Sequence, residues 1–379
     1  MTTDVDQEVQ VKEQAEEQAS YYMASQWKLM WWRFRRHKLA IIGTTVVLIL
    51  YLVSLFPEFL AIYEPHERNK KKLYLPPTSI HFFEGWVPKP HVYGLKSSRD
   101  PRTLALVFEK DETKKYYLKF FAKGYEWEFF WLFKTQRHLV GIDTLDDTAA
   151  FHILGTDRMG RDLWSRLMLA TRISMSVGLL GVAISLFLGI LLGGLSGYYG
   201  GWIDVFIQRL IEFLRSIPTI PLWIALAAAV PRDWSVVKVY FAITVLISFI
   251  GWTGLAREVR GRFLVIREED YVVAAVVYGS KAIRNIFVHM VPNFLSHIIM
   301  TTTLAVPSMI LAETSLSFLG LGLRQPVISW GVLLSEAQNI RAVASAPWLL
   351  IPGAFVLVTV LAFNFMGDGL RDAADPYAN

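Results

Sequence analysis

The sequence predicts an all-α polytopic membrane protein of six transmembrane helices, with a small β-rich insert between the first and second. Three observations predict it. Hydrophobic residues make up 53% of the chain, and the mean hydropathy is +0.36, which soluble domains rarely reach. Six apolar runs are each long enough to cross a bilayer: Leu39–Phe56, Ile173–Leu195, Ile203–Val230, Val236–Leu255, Phe294–Phe318 and Trp348–Phe365. Between the first two lies Pro57 to about Leu154, where strand-like aromatic and β-branched residues replace the apolar runs.

Residues 1–38 read as a tail followed by an interfacial helix. Met1–Ser20 is acidic and polar. In Tyr21–Lys38, Met23, Trp27, Met30, Trp31 and Phe34 form a helical apolar stripe among Lys28, Arg33, Arg35, Arg36 and Lys38. That pattern suits the lipid surface, with basic heads snorkelling toward phosphates. A signal peptide is the alternative, but the leader is too long and no small-residue cleavage site follows. Residues 39–56 then form the first span, about 27 Å long as a helix. The basic cluster before it places its N-terminal end in the cytoplasm.

Residues 57–154 are flanked by two spans and so lie outside; long loops cross whatever their charge. Thr103–Glu109, Tyr116–Ala122 and Trp127–Phe133 read as strands, with turns at Asp111-Glu112-Thr113 and Lys123-Gly124. The continuous apolar run Phe129-Phe130-Trp131-Leu132-Phe133 needs apolar material on both of its sides. One side is expected to meet the insert's own core. The other is expected to meet the membrane surface, a partner or a delivered ligand complex at the outer mouth.

Residues 155–172 carry Gly-Thr-Asp and Gly-Arg-Asp turns ahead of a helix. Asp157, Arg161, Asp162 and Arg166 can pair there, as a structural turn or a substrate contact. In the second span, Gly181, Ser185, Gly189, Gly193 and then Gly197 recur at every fourth position. Such a face lets another helix approach closely, and it serves packing. The third span opens with Asp204, Arg209, Glu212 and Arg215, and Pro218 and Pro221 are expected to kink it. The fifth contains Pro307 and, toward its outer end, Glu313. An intramembrane carboxylate is a functional hypothesis by default, here a gate or a structural acceptor.

The loop 257–293 is the most informative stretch. Arg257, Arg260, Arg262 and Arg267 lead into it, which marks a cytoplasmic loop. Tyr271–Tyr278 reads as a helix stopped by Gly279. Ser280 can cap a second helix, Lys281–Met290, ending before Pro292. Ile283, Ile286, Phe287 and Met290 fall on one face of it. The spacing leaves two readings open: a ridge that docks into another protein's groove, or a helical hairpin lying on lipid.

Ala274-Ala275, three residues, Gly279, nine residues and then His289-Met290-Val291-Pro292 resemble the EAA loop of binding-protein-dependent ABC importer permeases. Val273 stands where that motif carries its Glu, so no salt bridge is inferred there. His289 and Asn293 in the HxxPN ending resemble the peptide-permease branch. So do GTDRMGRDLWSR at 155–166, the Glu313–Gly322 segment, QPVISWGVLLSEAQ and the ending Gly367–Asp372 with Asp375-Pro376. The resemblance covers about Ile153–Pro376 and, less fully, Arg33–Leu55. It implies the type I importer fold, with the permease core over about 170–369 and a cytoplasmic C-terminus at 370–379. In such a system the coupling loop carries Tyr271, Ala274, Ala275, Gly279, Ile283, Ile286, His289, Pro292 and Asn293. It further implies a C-type partner of a second, B-type permease in a bacterial inner membrane, with both termini cytoplasmic. Two ATP-binding subunits that hold ATP and Mg, an extracytoplasmic binding protein, and oligopeptide or oligosaccharide cargo are also implied.

The chain itself carries no GxxxxGK[ST] phosphate loop, HExxH or GxSxG. No catalytic, cofactor or metal site is read from it, and an enzyme is not expected. Zero cysteines exclude disulfides and thiol chemistry. The net charge of +5 sits largely beside the spans, where anionic lipid attracts it, and is no nucleic-acid signature. A non-transporting structural or regulatory membrane protein is the rival class; it would have no need of an ATPase docking ridge.

Overall fold

The computed structural model describes residues 26–99, 101, 106–129, 133–142, 144, 146, 148–231 and 233–374. The acidic tail Met1–Ser20, Met23, Thr103, Phe130, Trp131, Leu132, Asp375 and Pro376 lie outside them.

Helix α1 (Gln26–Arg36) is amphipathic, but its stripe divides. Trp27 and Trp31 are exposed, whereas Met30 and Phe34 are buried against Ala40 and Ala373. The helix therefore docks partly on the chain's own C-terminal helix and not on lipid alone. His37 separates it from α2 (Lys38–Leu55) and caps α2, its Nδ1 accepting from the Ala40 N–H at 3.1 Å.

The insert forms a four-stranded antiparallel sheet in sequential order, β1 (His81–Glu84), β2 (Val87–Arg99), β3 (Leu106–Phe129) and β4 (Phe133–Ile142). The three short strands expected from the sequence are one long strand followed by a reversal. Both expected turns are register shifts within the ladders, near Asp111 and between Lys123 and Trp127. At the first, Asp111 Oδ1 accepts from the Thr113 N–H at 3.2 Å, a local bond that serves a bulge as well as a turn. At the second, Gly124 lies against the His138 ring, and a Cβ there would come within 2.5 Å of His138 Cδ2. The run expected to be one continuous strand straddles the reversal: Phe129 and Phe133 face each other across β3 and β4. Val92, Ile62 and Phe151 form the insert's core.

Among the described residues, five helical stretches are long and apolar enough to cross a membrane: α2, α3 (Leu163–Tyr199), α6 (Val236–Ile266), the continuous Ala282–Phe318, and Pro347–Ala374, which contains α10 (Ile351–Ala374). A sixth candidate is the pair α4 (Gly201–Ser216) and α5 (Thr219–Ala228), bent by 87° at its break. The expected kink is thus a corner. Ile217, restrained by the proline that follows it, is extended at φ −90°, ψ 130°. Pro221 sits in the first turn of α5, where its missing N–H costs nothing.

The other helices run further than the apolar cores implied. Helix α3 begins at Leu163, ten residues before the expected start of that span, capped by Asp162, whose side chain accepts from the Ser165 N–H at 2.7 Å. Helix α6 passes Leu255 and ends at Ile266: its last three turns hold no proline, and Gly261 is carried within the helix. Arg257, Arg260 and Arg262 therefore ride on α6, not in a loop. Arg260 forks onto Asp204 of α4, Nε to Oδ1 at 2.5 Å and Nη2 to Oδ2 at 2.6 Å.

The glycine face of α3 lies against α6. A Cβ on Gly193 would meet the Ala256 carbonyl at 2.4 Å, one on Gly197 the Phe263 Cβ at 2.6 Å, and one on Gly189 the Leu255 side chain at 2.9 Å. Gly181 leaves its space to Ser248 and Met309. Absent side chains let the backbones close up, which is the main source of helix association where lipid offers no hydrophobic drive.

Candidate functional site

Helix α7 (Asp270–Val277) follows α6 after a short turn and ends in a Schellman motif. Gly279 takes φ +79°. The Gly279 N–H donates to the Val276 carbonyl and the Ser280 N–H to the Ala275 carbonyl, both at 2.9 Å. Tyr278 N–H reaches the Ala274 carbonyl at 2.9 Å. Among the described residues nothing lies within 4 Å of where a Gly279 Cβ would be, so within this chain the glycine is needed for its backbone angle.

The segment after Gly279 is not a second independent helix. Lys281, not Ser280, occupies the cap position, and the Ser280 hydroxyl is buried without a partner among the described residues. One α-turn, Ala282–Arg284, passes into a π-helical stretch, Asn285–Met290, and a 3₁₀ turn, Val291–Phe294. Helix α8 (Leu295–Phe318) continues directly. Pro292 opens the 3₁₀ turn and does not end the rod.

The expected ridge splits in two. Ile286 and Met290 are fully buried in a cluster with Val259, Phe263, Val272 and Phe294. Ile283 and Phe287 remain exposed. An amphipathic stripe specifies burial, not its partner; here the bundle takes half of it. The larger outward apolar face belongs to α7: Val273, Val276, Val277 and Tyr278, the last 91% exposed.

The loop is tied down at several points. Asn293 Nδ2 donates to the Tyr271 hydroxyl at 2.6 Å and to the His289 carbonyl at 2.8 Å. Partial burial, with the Glu269 charge adding, pushes the Tyr271 phenol up, so it stays protonated. Asn285 is fully buried and donates to the Tyr198 hydroxyl at 2.9 Å; Arg267 reaches the Gly197 carbonyl at 3.3 Å. Sequence reading passed over Asn285, although a lone amide among apolar residues was a signal.

A buried ionic network occupies the other end of α3. Asp157 accepts from Arg161 Nε at 2.6 Å, from the Arg161 and Met159 N–H groups, and from Arg166 Nη1. Arg161 also donates to Glu336 at 2.9 Å and Gln325 at 3.3 Å. Burial, with the Asp157 charge adding, pushes the Glu336 carboxyl up against the opposing arginines. Asp162 takes no part in this network: it caps α3 and accepts from His152 Nδ1 at 2.8 Å. The arrangement pins the α3 entry to the segment before α10, as a structural turn does. Glu336 and Gln325 lie more than 160 residues away in sequence, which is why local spacing did not reveal them.

Glu313 is fully buried. It accepts from Ser317 Oγ and Ser329 Oγ at 2.7 Å each, and from Ser174 Oγ at 3.4 Å. Ser329 also caps α9 (Trp330–Leu334), and the Trp330 N–H donates to Ser174 Oγ at 3.1 Å. The carboxylate thus joins three segments through hydroxyls.

Residues 186–378 match the family described as binding-protein-dependent transport system inner membrane component. Residues 25–77 match the N-terminal TM domain of oligopeptide transport permease C. The oligopeptide transport system permease protein OppC of Haemophilus influenzae is 42% identical over 227 residues, 60% of this chain and 70% of that protein. OppC of Escherichia coli is 42% identical over 231 residues, 61% and 74% of the two chains. The dipeptide transport system permease protein DppC of Haemophilus influenzae is 30% identical over a match covering 91% of this chain and 93% of its own length. With its transmembrane helices and its match over the C-terminal half, the chain belongs to the family of binding-protein-dependent transport system inner membrane components.

Proposed function

We propose that this chain is the C-type permease subunit of an ATP-driven peptide importer. With a second permease it encloses the translocation path, and an extracytoplasmic binding protein delivers the cargo. Peptides are favoured by the names of its relatives, oligopeptide and dipeptide permeases. In this reading α4 and α5 together make a sixth, broken span, and both termini are cytoplasmic. ATP and Mg are held by two separate ATP-binding subunits, one of which docks on the 267–293 loop of this chain.

The observation that carries the reading is the construction of that loop. Val273, Val276 and Val277 have the i, i+3, i+4 spacing of helix-in-groove anchors and face outward. At the edge of that face, Val272 turns inward and packs in one cluster with Phe263 and Ile286 of the two flanking helices. A push on α7 is then transmitted to α6 and to the rod Ala282–Phe318, which suits alternating access by rocking of helices.

The test is Gly279→Val in the reconstituted complex. The reading expects an assembled transporter whose substrate-stimulated ATP hydrolysis falls severalfold. Full transport by the variant would refute this role for the turn.

A further inference from the structure

The β3–β4 end of the sheet sits where the first span leaves the membrane. The 18 residues of α2 cover about 27 Å, one hydrocarbon thickness, so the boundary lies within a turn of Leu55. Arg172 marks the same level. Its guanidinium donates to the Ser54 carbonyl at 2.9 Å and the Leu55 carbonyl at 3.1 Å, and it pairs with Glu58. A charged fork closing off the last carbonyls of a span belongs at the interface, not in hydrocarbon.

Aromatic rings run from this level into the sheet. Phe56 stacks on Phe129 at 5.5 Å, and Phe129 on Phe133 at 5.2 Å. Phe59 meets Phe121 at 6.1 Å. His138 of β4 is hydrogen-bonded to the Glu58 carbonyl at 3.0 Å, which fixes the sheet to the end of the span. Phe121 takes φ +54°, a left-handed angle that costs a bulky residue on the order of 1 kcal/mol or more. The strained residue interrupts the strand's alternation, and the neighbours Phe120 and Phe121 both emerge exposed, at 74% and 56%.

We propose that the β3–β4 ladder is an interfacial membrane anchor lying along the leaflet surface where α2 ends, with Phe120, opposite Val140, and Phe121 toward one end of it and Phe133 at the other, all three resting in the headgroup–acyl boundary. The occupant is lipid because the patch continues the exposed apolar column of α2, Leu48, Leu52 and Leu55, at the depth where that column leaves the hydrocarbon. Lys123 and Arg137 are cross-strand partners between the rings, with Arg137 donating to the Phe121 carbonyl at 2.9 Å, the pairing of aromatic bodies with basic heads that interfaces favour, whereas Lys134 is paired with Glu126 and Glu128. Exposed phenylalanines that would be a liability in water are satisfied there. The anchor rests only on α2 crossing the bilayer, and not on the transport reading.

The chain has no cysteine, so single cysteines report without background. Phe133→Cys and, independently, Phe120→Cys would be nitroxide-labelled in the complete transporter in phosphatidylethanolamine/phosphatidylglycerol vesicles. Ser98→Cys, at the far end of β2, is the aqueous control, and Leu52→Cys the hydrocarbon control. Phe120 stacks on no described ring, so its variant keeps the fold test separate. The expected result at both positions is a nickel-chelate accessibility severalfold below that at position 98, with oxygen accessibility raised toward that at position 52. Nickel-chelate accessibility equal to position 98 would overturn the anchor. So would shielding that arises only when binding protein is added, since the occupant would then be that protein.

Discussion

The Tyr271 hydroxyl accepts from Asn293 Nδ2 at 2.6 Å, which clamps α7 to the foot of the helix that follows it. Twenty-two residues of chain separate the two, and the bond closes the loop that carries the exposed valines. A clamp of this kind contributes about 1 kcal/mol. Asn293→Leu and Tyr271→Phe should each leave the subunits associated while lowering substrate-stimulated ATP hydrolysis. The double variant should lower it no further than Asn293→Leu alone, because Tyr271→Phe removes only a bond that the asparagine change has already removed. ATPase assays on the purified complex check this, and additive losses would show that the two residues act separately.

The contact of α3 with α6 depends on missing side chains. Gly193→Val places atoms inside the Ala256 backbone and should cost at least about 1–3 kcal/mol, as overpacking does. Gly254→Ala, where the added Cβ meets nothing within 4 Å, should be close to neutral. The amount of folded protein extracted in mild detergent, followed by thermal melting, distinguishes the two.

Asp157 faces two guanidiniums in a buried site, so Asp157→Ala strands Arg166 and leaves Arg161 with Glu336 and Gln325 alone. Breaking a buried pair from one side costs roughly 3–5 kcal/mol. The variant should melt well below the parent, with the loss concentrated where α3 and the segment around Glu336 meet. Hydrogen exchange would locate it; protection unchanged near Gln325 and Glu336 would contradict the pinning role.

How much of the fold and site was legible in the sequence depended on the range of the physics involved. Hydropathy placed the apolar runs, and a left-handed stop was readable at Gly279, because span length and backbone angle are local properties. The corner at Pro218 was read as a kink, since proline announces a break but not its angle. Asp111 and Gly124 were read as turns because both residue types also suit bulges, and only cross-strand register separates the two. Ile286 and Met290 were assigned to a docking ridge although the bundle takes them, because periodicity gives a face without saying what covers it. The partners Glu336 and Gln325 of Arg161 required the folded chain.

Orientation is checked by the same absence of cysteine. A membrane-impermeant maleimide added to intact cells should label Lys71→Cys and not Arg262→Cys, with the order reversed in inside-out vesicles. Labelling of both from one side would break the six-span arrangement.

The central claim is that ATP-binding subunits seat on the outward face of α7. Tyr278 ends that face and is 91% exposed, so Tyr278→Cys adds a reactive group without disturbing a packed side chain. The most direct measurement is site-specific crosslinking from this position in the assembled transporter, with Trp202→Cys, also exposed but outside the loop, as the reference. The account predicts a crosslink to an ATP-binding subunit at position 278 whose yield changes with nucleotide. No crosslink at position 278, or one no stronger than at position 202, would contradict it.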